Sequence, residues 1–84
     1  MGIEIYREKI DQIDKNIGAL LNERLNACKE IGKLKKQENA EVTDASREQQ
    51  VLENVSAAAD SEEVRSAISG IYEKIFEESK KLQT

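Results

Sequence analysis

Residues 3–37, IEIYREKIDQIDKNIGALLNERLNACKEIGKLKKQ, decide the fold. Apolar side chains recur at alternating spacings of three and four: Ile3, Tyr6, Ile10, Ile13, Ile17, Leu20, then Ala27, Ile31 and Leu34. That is the period of one helical face sustained over several heptads. No proline interrupts it. Gly18 and Gly32 each weaken a helix by up to about 1 kcal/mol without stopping it. At 1.5 Å per residue the stretch forms a rod of roughly 50 Å. The 47 residues that follow cannot cover a rod of that length, so a second copy of the chain is expected beside it. One position breaks the stripe. Between Leu20 and Ala27 the count falls on Arg24, and a cation on a core stripe is costly unless an anion meets it.

Composition narrows the function classes. The chain has 84 residues, 36% charged and 4% aromatic, with no Trp, His or Pro. One helical domain over residues 1–84 is expected, too small to bury a large core alone. A net charge of −4 with mixed signs argues against nucleic acid as a partner. No apolar run is long enough for a membrane span. The first residues lack a signal-peptide plan and a myristoylation motif. The single cysteine, Cys28, cannot form an internal disulfide, so a cytoplasmic location is expected. With no His to activate it, Cys28 reads as packing.

Beyond the rod the chain breaks near residues 38–43, with Asn39 a plausible helix end. Asp44 or Ser46 can cap a short second helix, Gln49 completing a capping box with Ser46. Its apolar side carries Val51, Leu52, Val55 and Ala58, and it fades at residues 57–59. Asp60 is the expected next cap, with Glu63 as its box partner. The third helix shows Val64, Ile68, Ile71, Ile75 and Leu82, with Ser79 interrupting. No stretch alternates like a strand. The fold class is all-α: a long, a short and a medium helix forming an intertwined homodimer.

Polar residues stand on apolar stripes in all three helices: Arg24, Glu48, then Ser79 with Gln83 one turn on. Each alone could be a register device or a satisfied core hydrogen bond. Together they suggest one polar pocket in a bundle. Lys35 follows Arg24 by eleven residues, which places both within about 20° of one face and ~16 Å apart. It could equally be a solvated helix-end lysine beside Lys33 and Lys36. Arg7 precedes Arg24 by roughly 25 Å of helix. It either pairs with Glu4 or Asp11 on its own surface or reaches a site in the other copy. Arg47 and Glu48 are first-turn residues of the second helix, exposed or else contacting a ligand's carboxylate and hydroxyl. No His or second Cys is present for a zinc site, and no Gly-rich loop for phosphates.

The ordered set REKIDQID (7–14), LLNER (20–24), IGKLK (31–35), VTDASRE (42–48) and IFEESKKLQ (75–83) resembles the all-helical (AroQ-type) chorismate mutases over essentially the whole chain. The resemblance implies an intertwined homodimer with two sites, each taking one arginine from the other chain. Arg7 would be that arginine, sharing the carboxylates of chorismate with Arg24. Lys35 would reach a carboxylate and the ether oxygen, and Gln83 the same ether oxygen. Glu48, helped by the Asp44 region, would take the ring hydroxyl, while Arg47 and Ser79 complete the carboxylate contacts. The implied catalytic set is therefore Lys35, Gln83 and Arg24, and no cofactor or metal is needed. The implied reaction is the rearrangement of chorismate to prephenate in phenylalanine and tyrosine biosynthesis. Gln83 stands one residue from Thr84, so fraying of the last turn is expected to threaten its placement.

Two other readings remain open on the residues. An isochorismate pyruvate lyase has the same scaffold and a similar dianionic substrate. A non-catalytic helical dimer or regulatory module would explain the stripe without chemistry. A mutase of this kind could also act beside a shikimate-pathway partner enzyme.

Overall fold

The uninterrupted period of residues 3–37 is realised as α1, Gly2–Glu38, in a computed structural model that describes residues 2–84. Two further helices follow, α2 (Ala45–Ser56) and α3 (Glu62–Gln83), giving the expected long, short and medium elements. Asn39 ends α1 with φ 58°, a left-handed conformation that Asn tolerates better than most residues. The Ala40 N–H donates to Lys35 O and the Asn39 N–H to Lys36 O, which closes a Schellman motif on the last carbonyls. Asp44, rather than Ser46, caps α2: its side chain accepts from Arg47 N at 2.9 Å. The cap of α3 is Ser61, whose hydroxyl accepts from Val64 N at 3.2 Å. The cap expected on Asp60 is thus displaced by one residue, and the expected box does not form, because the third helical position is then Val64 rather than Glu63. Ser61 already offers a cap oxygen three residues before a helical N–H, with Glu62 and Glu63 in the first turn.

Both α1 and α2 pack on α3, which crosses the C-terminal half of α1. On α1 the partly or fully covered residues are Leu21, Arg24, Leu25, Cys28, Gly32 and Lys35. That set lies about one residue round the helix from the stripe the periodicity selects. From α3 come Ile68, Tyr72, Ile75, Phe76, Ser79 and Gln83. Tyr72 and Phe76 meet edge to face at 5.8 Å, a pair absent from the expected α3 stripe. Val64, Ile71 and Leu82 point outward instead.

The stripe of α1 is left uncovered within the chain. Ile3, Tyr6, Ile10, Ile13, Ile17 and Leu20 are all exposed, and nothing in α2 or α3 reaches the first five turns. The molecule is accordingly long, 55 × 25 × 15 Å, with a radius of gyration of 15.7 Å. A compact chain of this length has about 12 Å. Its accessible surface of 6755 Å² exceeds the roughly 5,000 Å² of a compact monomer of its mass. Among the described residues the buried side chains are Cys28, Phe76 and Ser79, too few for a self-sufficient core.

Candidate functional site

Where α3 crosses α1, with α2 laid alongside, a cavity of about 430 Å³ opens, within the range of small-molecule sites. Its polar lining is Arg24 and Lys35 from α1, Asp44, Arg47 and Glu48 at the start of α2, and Ser79, Lys80 and Gln83 from the last turns of α3. Ala27, Cys28, Ile31, Val42, Val51 and Phe76 supply the apolar wall. Seven of the eight site residues expected from sequence therefore line one cavity. The eighth, Arg7, lies on the exposed part of α1 and pairs with Glu4 at 2.9 Å.

Arg24 is held from several sides. Its Nη1 donates to Ser79 Oγ at 2.7 Å and lies 3.6 Å from Cys28 Sγ. The guanidinium sits 5.9 Å from the centre of the Tyr72 ring, close enough for a cation–π contribution. Ser79 in turn donates its hydroxyl proton to Ile75 O at 2.6 Å, so its oxygen is aimed at Arg24 as an acceptor. Among the described residues no carboxylate lies within ion-pair distance of Arg24. Its orientation is fixed while its charge is left unmatched. Cys28 is buried beside it, in the packing role expected of it.

Lys35 donates from Nζ to Val42 O at 2.9 Å, which ties the end of α1 to the loop entering α2. An ammonium has three donors, so this bond leaves two for other acceptors. Arg47 pairs with Gln50, Nη1 to Oε1 at 2.6 Å. Asp44 is occupied as the α2 cap. Glu48 meets Lys80, Oε2 to Nζ at 2.9 Å. Four cations against two acids line the cavity, a positive hollow in a chain of net charge −4.

The last turn of α3 is helical through Gln83. Gln83 is helical and half-buried against Gly32. A Cβ on Gly32 would come within 2.6 Å of Gln83 Cα and 2.8 Å of its carbonyl oxygen, so only glycine allows this approach. Close packing of the two backbones holds the turn. Gln83 Oε1 is buried with no hydrogen-bond partner, the one such side-chain atom among the described residues. An orphaned acceptor of this kind typically costs about 1–3 kcal/mol.

A larger hollow, about 840 Å³, lies along residues 5–15 but is walled by α1 alone. It has no opposing side and brings no chemistry together.

Residues 6–84 match the family described as chorismate mutase type II. The chain belongs to the type II chorismate mutase family. The solved structure of a conserved hypothetical protein from Pyrococcus furiosus superposes on this family member with a TM-score of 0.81 at 34% identity, covering 100% of this chain and 97% of that one. A 3-dehydroquinate dehydratase of Pyrobaculum aerophilum is 39% identical over 51 residues, 61% of this chain. The match spans only 17% of the length of that dehydratase. Among the described residues no helix is long and apolar enough to cross a membrane.

Sequence reasoning about this mutase-family chain missed Lys80, Tyr72 and Phe76. Lys80 follows Phe76 by four residues, which puts it on the covered side of α3. That spacing was the available signal, hidden because Phe76 itself was not assigned to the core.

Proposed function

We propose that the chain is a chorismate mutase, converting chorismate to prephenate by an intramolecular Claisen rearrangement. One observation carries this reading: cations from α1, α2 and α3 converge on one cavity, and Arg24, the best oriented of them, meets no carboxylate among the described residues. A dianionic substrate supplies the missing charge. The family membership points to the same chemistry.

In the rearrangement a C–O ether bond breaks as a C–C bond forms within one molecule, so no nucleophile or redox partner is required. The site's task is to hold the enolpyruvyl side chain over the ring, an orientation effect, and to meet negative charge growing on the ether oxygen. Arg24 and Arg47 bind carboxylates, with Ser79 aiming Arg24. Lys35 reaches a carboxylate and the ether oxygen. Gln83 becomes the second ether donor when its carboxamide turns over and exchanges Oε1 for Nε2, which also relieves the orphaned acceptor. Glu48 accepts from the ring hydroxyl, near the Asp44 cap.

The reading includes a homodimer. The uncovered stripe of α1 and a surplus of about 1,700 Å² of surface per chain over a compact monomer, about 3,400 Å² for a pair, fit the larger interfaces of obligate homodimers. Pairing of α1 with its copy brings Arg7 of the second chain to the site. The similarity to part of a 3-dehydroquinate dehydratase supports a role beside an enzyme handling related carbocyclic acids.

Incubating the purified protein with chorismate and identifying the product tests the reading. Prephenate is expected. Pyruvate release from isochorismate, with chorismate untouched, would move the assignment to a lyase on the same scaffold. Binding without conversion would make it a regulatory module.

A further inference from the structure

We propose that Lys80 is a positioning residue of this site, acting through Glu48. The inference rests on reading the cavity as a dianion site.

Lys80 and Glu48 form the one ion pair, among the described residues, that joins two helices. Every other pair links residues three or four apart on a single helix. Lys80 Nζ lies 2.9 Å from Glu48 Oε2, with side chains 36% and 29% exposed. Both residues line the cavity, so the pair forms part of its wall. Glu48 Oε1 has no partner among the described residues.

A carboxylate in the wall of a site for a dianion poses a conflict. It is a good acceptor for a substrate hydroxyl, yet its charge repels the carboxylates that must enter with that hydroxyl. Lys80 resolves the conflict in three ways. It cancels the Glu48 charge locally, so attraction by Arg24, Lys35 and Arg47 prevails. It donates to the carboxylate from the α3 side, so Glu48 meets a ligand as an acceptor. It also engages Oε2 alone, anchoring the carboxylate and leaving Oε1 for the ligand. The same bond ties the first turn of α2 to α3, so the two walls move as one. Neither Lys80 nor its pairing follows from the residues that hold the carboxylates or the ether oxygen.

The test is a double-substitution cycle on the full chain: Lys80→Met, Lys80→Arg, Glu48→Gln, and Lys80→Met with Glu48→Gln. Each protein is checked by circular dichroism and thermal melting, and kcat and KM for chorismate are measured. Glu48 is assigned to a hydroxyl away from the reacting bonds, a contact made alike in ground and transition states, so the expected loss falls on KM. Lys80→Met is expected to raise KM about tenfold with kcat changed less than about threefold. Lys80→Arg, which keeps the charge, should stay within about threefold of wild type. In the Glu48→Gln background, Lys80→Met should change KM by less than about threefold, because the group it serves is gone.

A KM within about twofold of wild type for Lys80→Met overturns the proposal. So does an equal loss in both backgrounds, or a loss confined to the melting temperature, the mark of a purely structural tie. Wild-type protein that neither converts nor binds chorismate overturns the reading of the cavity itself, and this is seen before any substitution is made.

Discussion

Arg24 concentrates the chemistry at the scale of single residues. It stands on the boundary between the outward apolar stripe and the inward packing face of α1, half-buried. Ser79, Cys28 and Tyr72 fix its guanidinium without neutralising it. Replacing Arg24 with Ala should lower kcat/KM for chorismate by at least about 100-fold, the usual scale for losing a preorganised donor. The helical circular dichroism should be unchanged. Wild-type turnover in that variant would sink the site assignment. Ser79→Ala removes the acceptor that aims Arg24 but not the cation, so a smaller loss is expected, and Ser79→Thr should recover part of it.

Two short-range features control the elements. Gly32 lets α1 and α3 touch backbone to backbone. Gly32→Ala should destabilise by about 1–3 kcal/mol through overpacking, partly offset by the higher helix propensity of Ala. It should also lower kcat more than KM, since the shifted group is Gln83. A melt and a kinetic assay on the same variant separate the two effects. Asp44 caps α2 and lines the cavity at once. Asp44→Ala should cost about 1 kcal/mol of stability, whereas Asp44→Asn keeps the cap and exposes any separate effect on substrate. The charge pairs on the outer face of α3 matter less. The hydrogen bond and charge of Lys81 hold the Glu78 carboxyl below its usual range, while Glu78 raises Lys81. The Glu78 contribution is full above the unfolded carboxylate pKa and is lost as pH falls through the lower folded value. That of Lys81 is full below its unfolded pKa and is lost as pH rises through the higher folded value. Both are present at neutral pH, but the side chains of Lys81 and Glu78 are 63% and 45% exposed, so solvent screens the pair. Glu78→Gln should therefore move the neutral-pH melting temperature less than Asp44→Ala.

The whole molecule is shaped by what it lacks internally. Among the described residues, three buried side chains and a bare stripe of Ile, Tyr and Leu along α1 leave too little apolar burial for an independent fold. Sedimentation at micromolar concentration should show a dimer, and a folded monomer would contradict the argument. Arg7, paired with Glu4 on the open end of α1, should serve the site of the other chain. Mixing Arg7→Ala with Lys35→Ala chains, each inactive alone, should regain about a quarter of wild-type activity. Half the reassorted dimers are then mixed, and each carries one complete site. No recovery after verified subunit exchange would remove Arg7 from the site.

Much of this was legible in the order of residues. Helical periodicity is local, so the three helices, the break at Asn39 and the Asp44 cap follow from spacing and side-chain type. The polar interruptions Arg24, Glu48, Ser79 and Gln83 were visible as violations of that period, because burying a polar group needs a reason. What only the tertiary structure decided is which face each helix spends on its own chain. The inward face of α1 lies one residue round from its apolar stripe and includes Gly32, whose missing side chain leaves no mark in a hydrophobic pattern. The same holds for Lys80. Its partner Glu48 lies on another helix, and a pairing between helices is set by how they cross, which no local period encodes.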